Sequence, residues 1–147
     1  MRFISGLFLM LLAMQAWALG CTITTTPIGF GGYRSLSVFP LDATADVNIN
    51  CDASLLYVIK LDAGGNSGGT FSPRKMLLVG GGGVLNYNLY RDAARNEIWG
   101  DGINGSFIQS GTGTSANIPW LVYGRMPSRQ NVGAGNYADN VTVTIEW

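Results

Sequence analysis

The chain has 147 residues, with nine basic and nine acidic side chains and no histidine. So even a balance gives no electrostatic footprint for nucleic acid or an anionic membrane surface. Without histidine the chain lacks the commonest general base, the Ser-His-Asp and Cys-His arrangements and most zinc sites, so neither catalysis nor a metal or other cofactor is expected.

The first residues read as a leader. Arg2 supplies a positive n-region, Phe3 to Trp17 is a mostly apolar run, and Ala16-Trp17-Ala18 is a small-x-small cleavage site. The run is too short and wrongly flanked for a membrane span. Residues 1–18 are therefore expected to be a secretory signal peptide, and 19–147 one mature domain of 129 residues with no transmembrane segment. Removing Arg2 leaves eight basic and nine acidic side chains, a net charge of −1.

Cys21 and Cys51 are the only cysteines. In an exported chain an even pair reads as a disulfide. It would close a loop of about 30 residues, worth roughly 3.5–4 kcal/mol in the chain-entropy description. A rival reading takes Leu19-Gly20-Cys21 as a bacterial lipoprotein cleavage site, with Cys21 acylated and Cys51 left single. Ala18 in place of the usual leucine, and the ordinary cleavage site beside it, weigh for the disulfide.

Strand-like runs then follow one another: Thr22 to Thr26, Ala45 to Cys51, Leu55 to Leu61, Lys75 to Val79, Val84 to Tyr90, Ile118 to Arg125 and Tyr137 to Trp147. Gly, Asn, Asp, Ser and Pro clusters separate them, at Gly64 to Gly69, Gly80 to Gly83, Gly100 to Gly105 and Gly111 to Thr114. No stretch sustains a 3.6-residue apolar period, and the one weak helical candidate, Asp92 to Glu97, is short. This spacing predicts an all-β, immunoglobulin-like antiparallel β-sandwich. The final run alternates strictly, so Val141, Val143, Ile145 and Trp147 share one face. With nothing after it, that strand leaves a neighbour position for an earlier strand or another polypeptide to fill.

Motifs with chemical flavour read more simply as structure. Gly80-Gly81-Gly82-Gly83 lacks the Lys-Ser/Thr pair and helix of a phosphate loop. Asp101-Gly102-Ile103-Asn104-Gly105 resembles a calcium loop, but Thr112 stands where the distal glutamate would be, which favours a tight turn. Asp92, Glu97 and Asp101 could in principle supply a carboxylate pair for sugar hydrolysis, yet acids flanking loops are common. Asn104-Gly105-Ser106 and Asn140-Val141-Thr142 match glycosylation acceptors and are read as chance beside a bacterial-type signal. The abundant aromatics, among them Tyr57, Tyr87, Trp99 and Trp120, fit a β core better than a sugar-binding face.

A set of short motifs occurs in order along the chain: Cys21-Thr22-Ile23, Phe30-Gly31-Gly32-Tyr33, Val47-Asn48-Ile49-Asn50-Cys51, Leu85-Asn86-Tyr87-Asn88-Leu89-Tyr90, Trp99-Gly100-Asp101-Gly102, Val122-Tyr123-Gly124-Arg125-Met126-Pro127, Gly135-Asn136-Tyr137-Ala138-Asp139 and Val141-Thr142-Val143-Thr144-Ile145. Together they resemble the spore coat protein U domain, shared by secreted subunits of the archaic (Csu-type) chaperone–usher pili. The resemblance implies a non-enzymatic structural or adhesive subunit, acting in surface attachment or biofilm formation. Its sandwich would lack the last strand. A periplasmic chaperone would lend that strand, and an outer-membrane usher would exchange it for the donor strand of a neighbouring pilin subunit. The chain would pass through the periplasm to the cell surface. Cys21 and Cys51 would staple the first strand to the second, and Val141, Val143, Ile145 and Trp147 would line the groove that receives the donor or chaperone strand. Only Leu19 and Gly20 precede Cys21 after the expected cleavage, too few residues for a donor strand. A tip or non-polymerising position is therefore expected. The alternative is a complete, stand-alone secreted carbohydrate-binding β-sandwich.

Overall fold

The computed structural model describes residues 18–147, so the expected signal peptide lies outside the described residues apart from Ala18. Nine strands appear there: β1 (Cys21–Thr25), β2 (Leu41–Cys51), β3 (Leu56–Leu61), β4 (Arg74–Leu78), β5 (Val84–Tyr90), β6 (Gln109–Thr112), β7 (Asn117–Met126), β8 (Tyr137–Ala138) and β9 (Val143–Glu146). They form an immunoglobulin-like sandwich of one sheet in the order β1-β2-β7-β5-β4-β8 and a second in the order β6-β3-β9. All the strand pairings are antiparallel. The residues 92–97 form turns, not a helix.

The alternation read from the sequence buries the expected faces. Ala45, Val47, Ile49 and Cys51 of β2, Tyr57, Ile59 and Leu61 of β3, and Leu85, Tyr87 and Leu89 of β5 all lie in one core. Cys21 pairs with Cys51 across the β1–β2 ladder, and the two are joined by a disulfide. β2 begins at Leu41, earlier than its apolar run suggests. Asp42 interrupts the reading there, but it faces Arg125 of β7 in register and takes a bidentate pair from it at 2.7 and 2.8 Å.

β6 is absent from the sequence reading, which placed a loop at Gly111 to Thr114. Its inward position is Gly111, opposite Tyr57, where an added Cβ would stand 2.6 Å from the Tyr57 hydroxyl. A strand whose core-facing residue must be glycine carries no apolar alternation. The expected single strand from Tyr137 to Trp147 is also corrected. It is split into β8, which pairs with β4, and β9, which pairs with β3 in the other sheet.

Two buried groups tie the sheets together. Trp99 is fully buried; its backbone N–H donates to Leu89 O of β5 at 2.9 Å and its indole N–H to Ile59 O of β3 at 3.1 Å. Arg74 of β4 is also 0% exposed, and no carboxylate takes its hydrogen bonds. Its guanidinium donates to Asp62 O, to Trp99 O at 2.6 Å and to Asn88 Oδ1 at 2.9 Å, over the ring of Phe71. A buried charge is tolerated only when its donors are satisfied in this way.

Arg74→Met would leave Asp62 O and Trp99 O without donors in the interior, while Asn88 Oδ1 would keep the Leu89 N–H. It is expected to lower stability by about 3 kcal/mol in urea unfolding, with an unchanged midpoint contradicting this role. The Asp42 carboxyl is held below its ordinary value, chiefly by the Arg125 hydrogen bond. A depressed folded-state pKa contributes stability above the ordinary aspartate value of about 3.9, which is lost as pH falls through the folded value. Asp42→Asn should therefore make the unfolding midpoint less steeply dependent on pH below about 4.

Candidate functional site

After Thr25 the chain parts from β2. Thr26 N–H makes a last bond to Asp46 O at 3.0 Å, and Pro27, with no amide hydrogen, cannot extend the ladder. The segment 27–33 then runs across the inner face of the large sheet. Ile28 and Phe30 point inward, alternating with exposed Pro27 and Gly29. Phe30 packs edge-on against Tyr87, with ring centroids 6.1 Å apart. Both inward side chains rest on Gly124 of β7, where an added Cβ would come within 2.5 Å of Ile28 Cδ1 and 2.6 Å of Phe30 Cζ. Tyr33 anchors the far end; its hydroxyl donates to Pro127 O at 2.7 Å and accepts from Gln130 N–H at 2.8 Å. Among the described residues, the backbone of 27–33 makes no hydrogen bond.

Opposite this segment runs the crossover from β8 to β9. Between the two walls lies a cleft of about 490 Å³, with Thr25 to Ile28 on one side and Ala138 to Val141 and Val143 on the other. Its floor is Val47, Leu61, Tyr87, Leu89 and Val122, drawn from both sheets. A second hollow of about 670 Å³ continues it between Ile28 to Ser35 and Val132 to Tyr137, over Leu85 and Met126. Ile28, Met76 and Tyr137 line both, so the two make one trench. Each of the core residues named on the first floor is at most 5% exposed, so little of the floor is open to solvent. At the other end β1 and β9 come together, and Trp147 lies against Gly20.

β9 bonds to β3 on one side, and among the described residues no strand pairs with its other edge. Val141 and Val143 line the trench, and Ile145 packs on the core further along β9. Trp147 is 59% exposed and lies outside the trench, in a hollow with Leu56 and Tyr57. The opposite wall, Ile28 and Phe30, escaped the sequence reading, although their alternation ahead of Tyr33 was a usable signal.

The crossover is held in a polar grip. Asp139 Oδ1 accepts from Gly65 N–H at 3.0 Å and Asn66 Nδ2 at 2.8 Å, and Asp139 Oδ2 accepts from the Tyr87 hydroxyl at 2.6 Å. Burial first, and then the Asp139 carboxylate, push the Tyr87 phenol above its ordinary range, which keeps it a donor. Asp62 takes Thr142 N–H on its carboxylate at 3.0 Å and gives its own N–H to Thr142 O.

The acids considered for catalysis are engaged in local structure. Asp92 accepts from the amides of Asn96 and Glu97, Glu97 pairs with Arg91 at 2.7 Å, and Asp101 Oδ1 accepts from Ile103 N–H. Burial raises the Asp92 pKa, but the amides of Glu97 and Asn96 outweigh it and hold the group below its ordinary value. Tyr57, Tyr87 and Trp99 are at most 2% exposed and serve the core.

Residues 7–144 match the family model of the Spore Coat Protein U domain. The chain is 30% identical over 134 residues to Protein U of Myxococcus xanthus, covering 82% of this chain and 71% of that protein. It also superposes, with a TM-score of 0.63 at 19% identity, on a chain of the crystal structure of the CsuC–CsuE chaperone–tip adhesion subunit pre-assembly complex from the archaic chaperone–usher Csu pili of Acinetobacter baumannii. That superposition covers 88% of this chain but only 40% of the other, and at this identity it is a likeness of fold.

If the 27–33 wall rests on β7 as described, Gly124→Val should lower stability by about 1–3 kcal/mol through overpacking. A denaturation midpoint equal to wild type would show that the wall does not depend on this contact.

Proposed function

The chain belongs to the Spore Coat Protein U domain family, and from that premise we propose that it is a secreted, non-enzymatic pilus subunit whose trench accepts a β-strand from another polypeptide. The observation that carries this reading is the trench itself. It runs between the crossover that leads into β9, a strand that pairs on one side only, and a segment whose backbone makes no hydrogen bond among the described residues. Its floor is the apolar core of both sheets. A strand laid there could bond along β9 and seat alternate side chains between Val141, Val143 and Ile28, the geometry of strand addition.

In this reading the sandwich is incomplete until that strand arrives. A periplasmic chaperone supplies it first; a neighbouring subunit replaces it at the outer-membrane usher. The destination is the cell surface, and the work is attachment or biofilm formation. The likeness in fold to a chain of a chaperone–subunit complex of archaic pili supports this assignment. Unpaired backbone groups and apolar side chains beside them are costly in water, which gives the strand its driving force.

Expressed in a periplasm without a partner, the chain is expected to be marginally stable and prone to aggregate, with a lower unfolding midpoint than in its complex. Co-expression with the chaperone of its own system should give a soluble one-to-one complex by size-exclusion chromatography and light scattering. A monodisperse, cooperatively folding monomer that ignores the chaperone would refute the acceptor reading. Binding of that same monomer to a glycan array would favour the stand-alone carbohydrate module instead.

A further inference from the structure

The two walls of the trench are built differently. The 27–33 wall is held by the side chains of Ile28, Phe30 and Tyr33, with no backbone hydrogen bond among the described residues. The opposite wall, the crossover 138–142, is bonded along its length to the loop 62–66. Thr142 exchanges bonds with Asp62 in both directions at 3.0 Å, and Gly65 N–H reaches Asn140 O at 3.2 Å. Asp139 gathers Gly65, Asn66 and Tyr87 on its two oxygens. Behind the loop stands Arg74, two of whose guanidinium N–H groups bond to Asp62 O.

Asp139 is out of place by the rules of a simple strand. Tyr137, Asp139, Val141, Val143 and Ile145 share one face by alternation, and every other member is apolar. A carboxylate on that face would lower strand propensity and face the core. Here it is half-buried and accepts three hydrogen bonds. The loop is shaped to meet it. Gly64 has φ +81°, and an added Cβ would stand 2.0 Å from Asp139 Oδ2. The break between β8 and β9 falls at this residue.

We propose that Asp139 is a positioning residue that fixes the β8–β9 wall of the trench, so that an incoming strand opens it by displacing the 27–33 wall. The proposal rests on the strand-acceptor reading for its second half only; the fixing of the wall stands on the hydrogen bonds above. A wall already ordered before the strand arrives reduces the ordering cost of binding. Without the grip the crossover is free to slacken towards Ile28 and close the gap.

The test uses the mature chain, released from its chaperone, as wild type, Asp139→Ala, Asp139→Asn and Tyr87→Phe. Tyr87→Phe removes only the hydroxyl and keeps the core filled should Asp139→Ala fail to fold. Amide exchange is read first, with no strand present. Asp139→Ala should speed exchange at Gly65 and Thr142 about tenfold while Ile49 and Val122 keep their wild-type rates; one hydrogen bond to a charged group is of that order, since tenfold corresponds to about 1.4 kcal/mol. Asp139→Asn should recover part of the protection, and Tyr87→Phe should lose a smaller part. Association is read next, with a synthetic peptide of about ten residues alternating valine and threonine, long enough at 3.3 Å per residue to span 137–146. Its on-rate should fall about tenfold in Asp139→Ala, with a larger effect than on the off-rate.

Unchanged exchange at Gly65 and Thr142, or faster exchange spread equally over the core strands, would overturn the role of Asp139. Local loosening with a wild-type on-rate would overturn its part in strand entry. A wild-type chain that binds no peptide while the exchange pattern holds would count against the acceptor reading and leave the wall assignment supported.

Discussion

Asp139 sits on the apolar face of the last alternating run, and its surroundings show how a charged group is kept there. The Tyr87 hydroxyl, the Gly65 amide and the Asn66 side chain supply all its close donors, and the glycine at 64 leaves room for the approach. The carboxylate meets these groups where the chain leaves one sheet after Ala138, before it joins the other at Val143. The crossover that forms the trench wall is held at that satisfied charge.

The grip works because the loop it engages is itself fixed. Arg74, buried without a carboxylate on its guanidinium, bonds Asp62 O, Trp99 O and Asn88 together. Trp99 carries the connection across the sandwich, bonding to β5 through its amide and to β3 through its indole. Buried polar networks of this kind rigidify a core when every member is satisfied, and no buried side-chain nitrogen or oxygen among the described residues lacks a partner. The opposite wall relies on apolar contact and one tyrosine. Rigidity on one side and looser attachment on the other suit the strand-accepting groove proposed above.

Much of this fold was legible in the sequence where side-chain alternation meets the core. Val47, Ile49 and Cys51 against Asp46, Asn48 and Asn50, and Leu85, Tyr87 and Leu89 in β5, stand in their expected strands. The Cys21–Cys51 pair, read from parity in an exported chain, is present as a bond. What stayed hidden depends on partners distant in sequence. β6 presents Gly111 to Tyr57, so its inward residue has no side chain to announce it. Asp42 looks like a strand breaker until Arg125 faces it across the ladder. Of the face read as a groove, Val141 and Val143 stand at the trench, Ile145 packs on the core further along β9, and Trp147 lies outside the trench. The 27–33 wall sets its alternating Ile28 and Phe30 among Pro27, Gly29, Gly31 and Gly32, which read as a turn, and Asp139 reads as a turn residue unless Tyr87 and the 62–66 loop are seen beside it.

The claim that the trench is an unfilled strand position can be tested in a single molecule. An alternating valine–threonine strand is joined to Trp147 through a short flexible linker, and thermal unfolding is compared with that of the same fusion carrying a glycine–serine segment of equal length. A filled trench is expected to raise the melting temperature by about 10 °C or more, the response to a few kcal/mol in a domain of this size, and to slow amide exchange at Val141, Val143 and Ile145. Equal melting temperatures and equal exchange at those three residues would contradict the acceptor role.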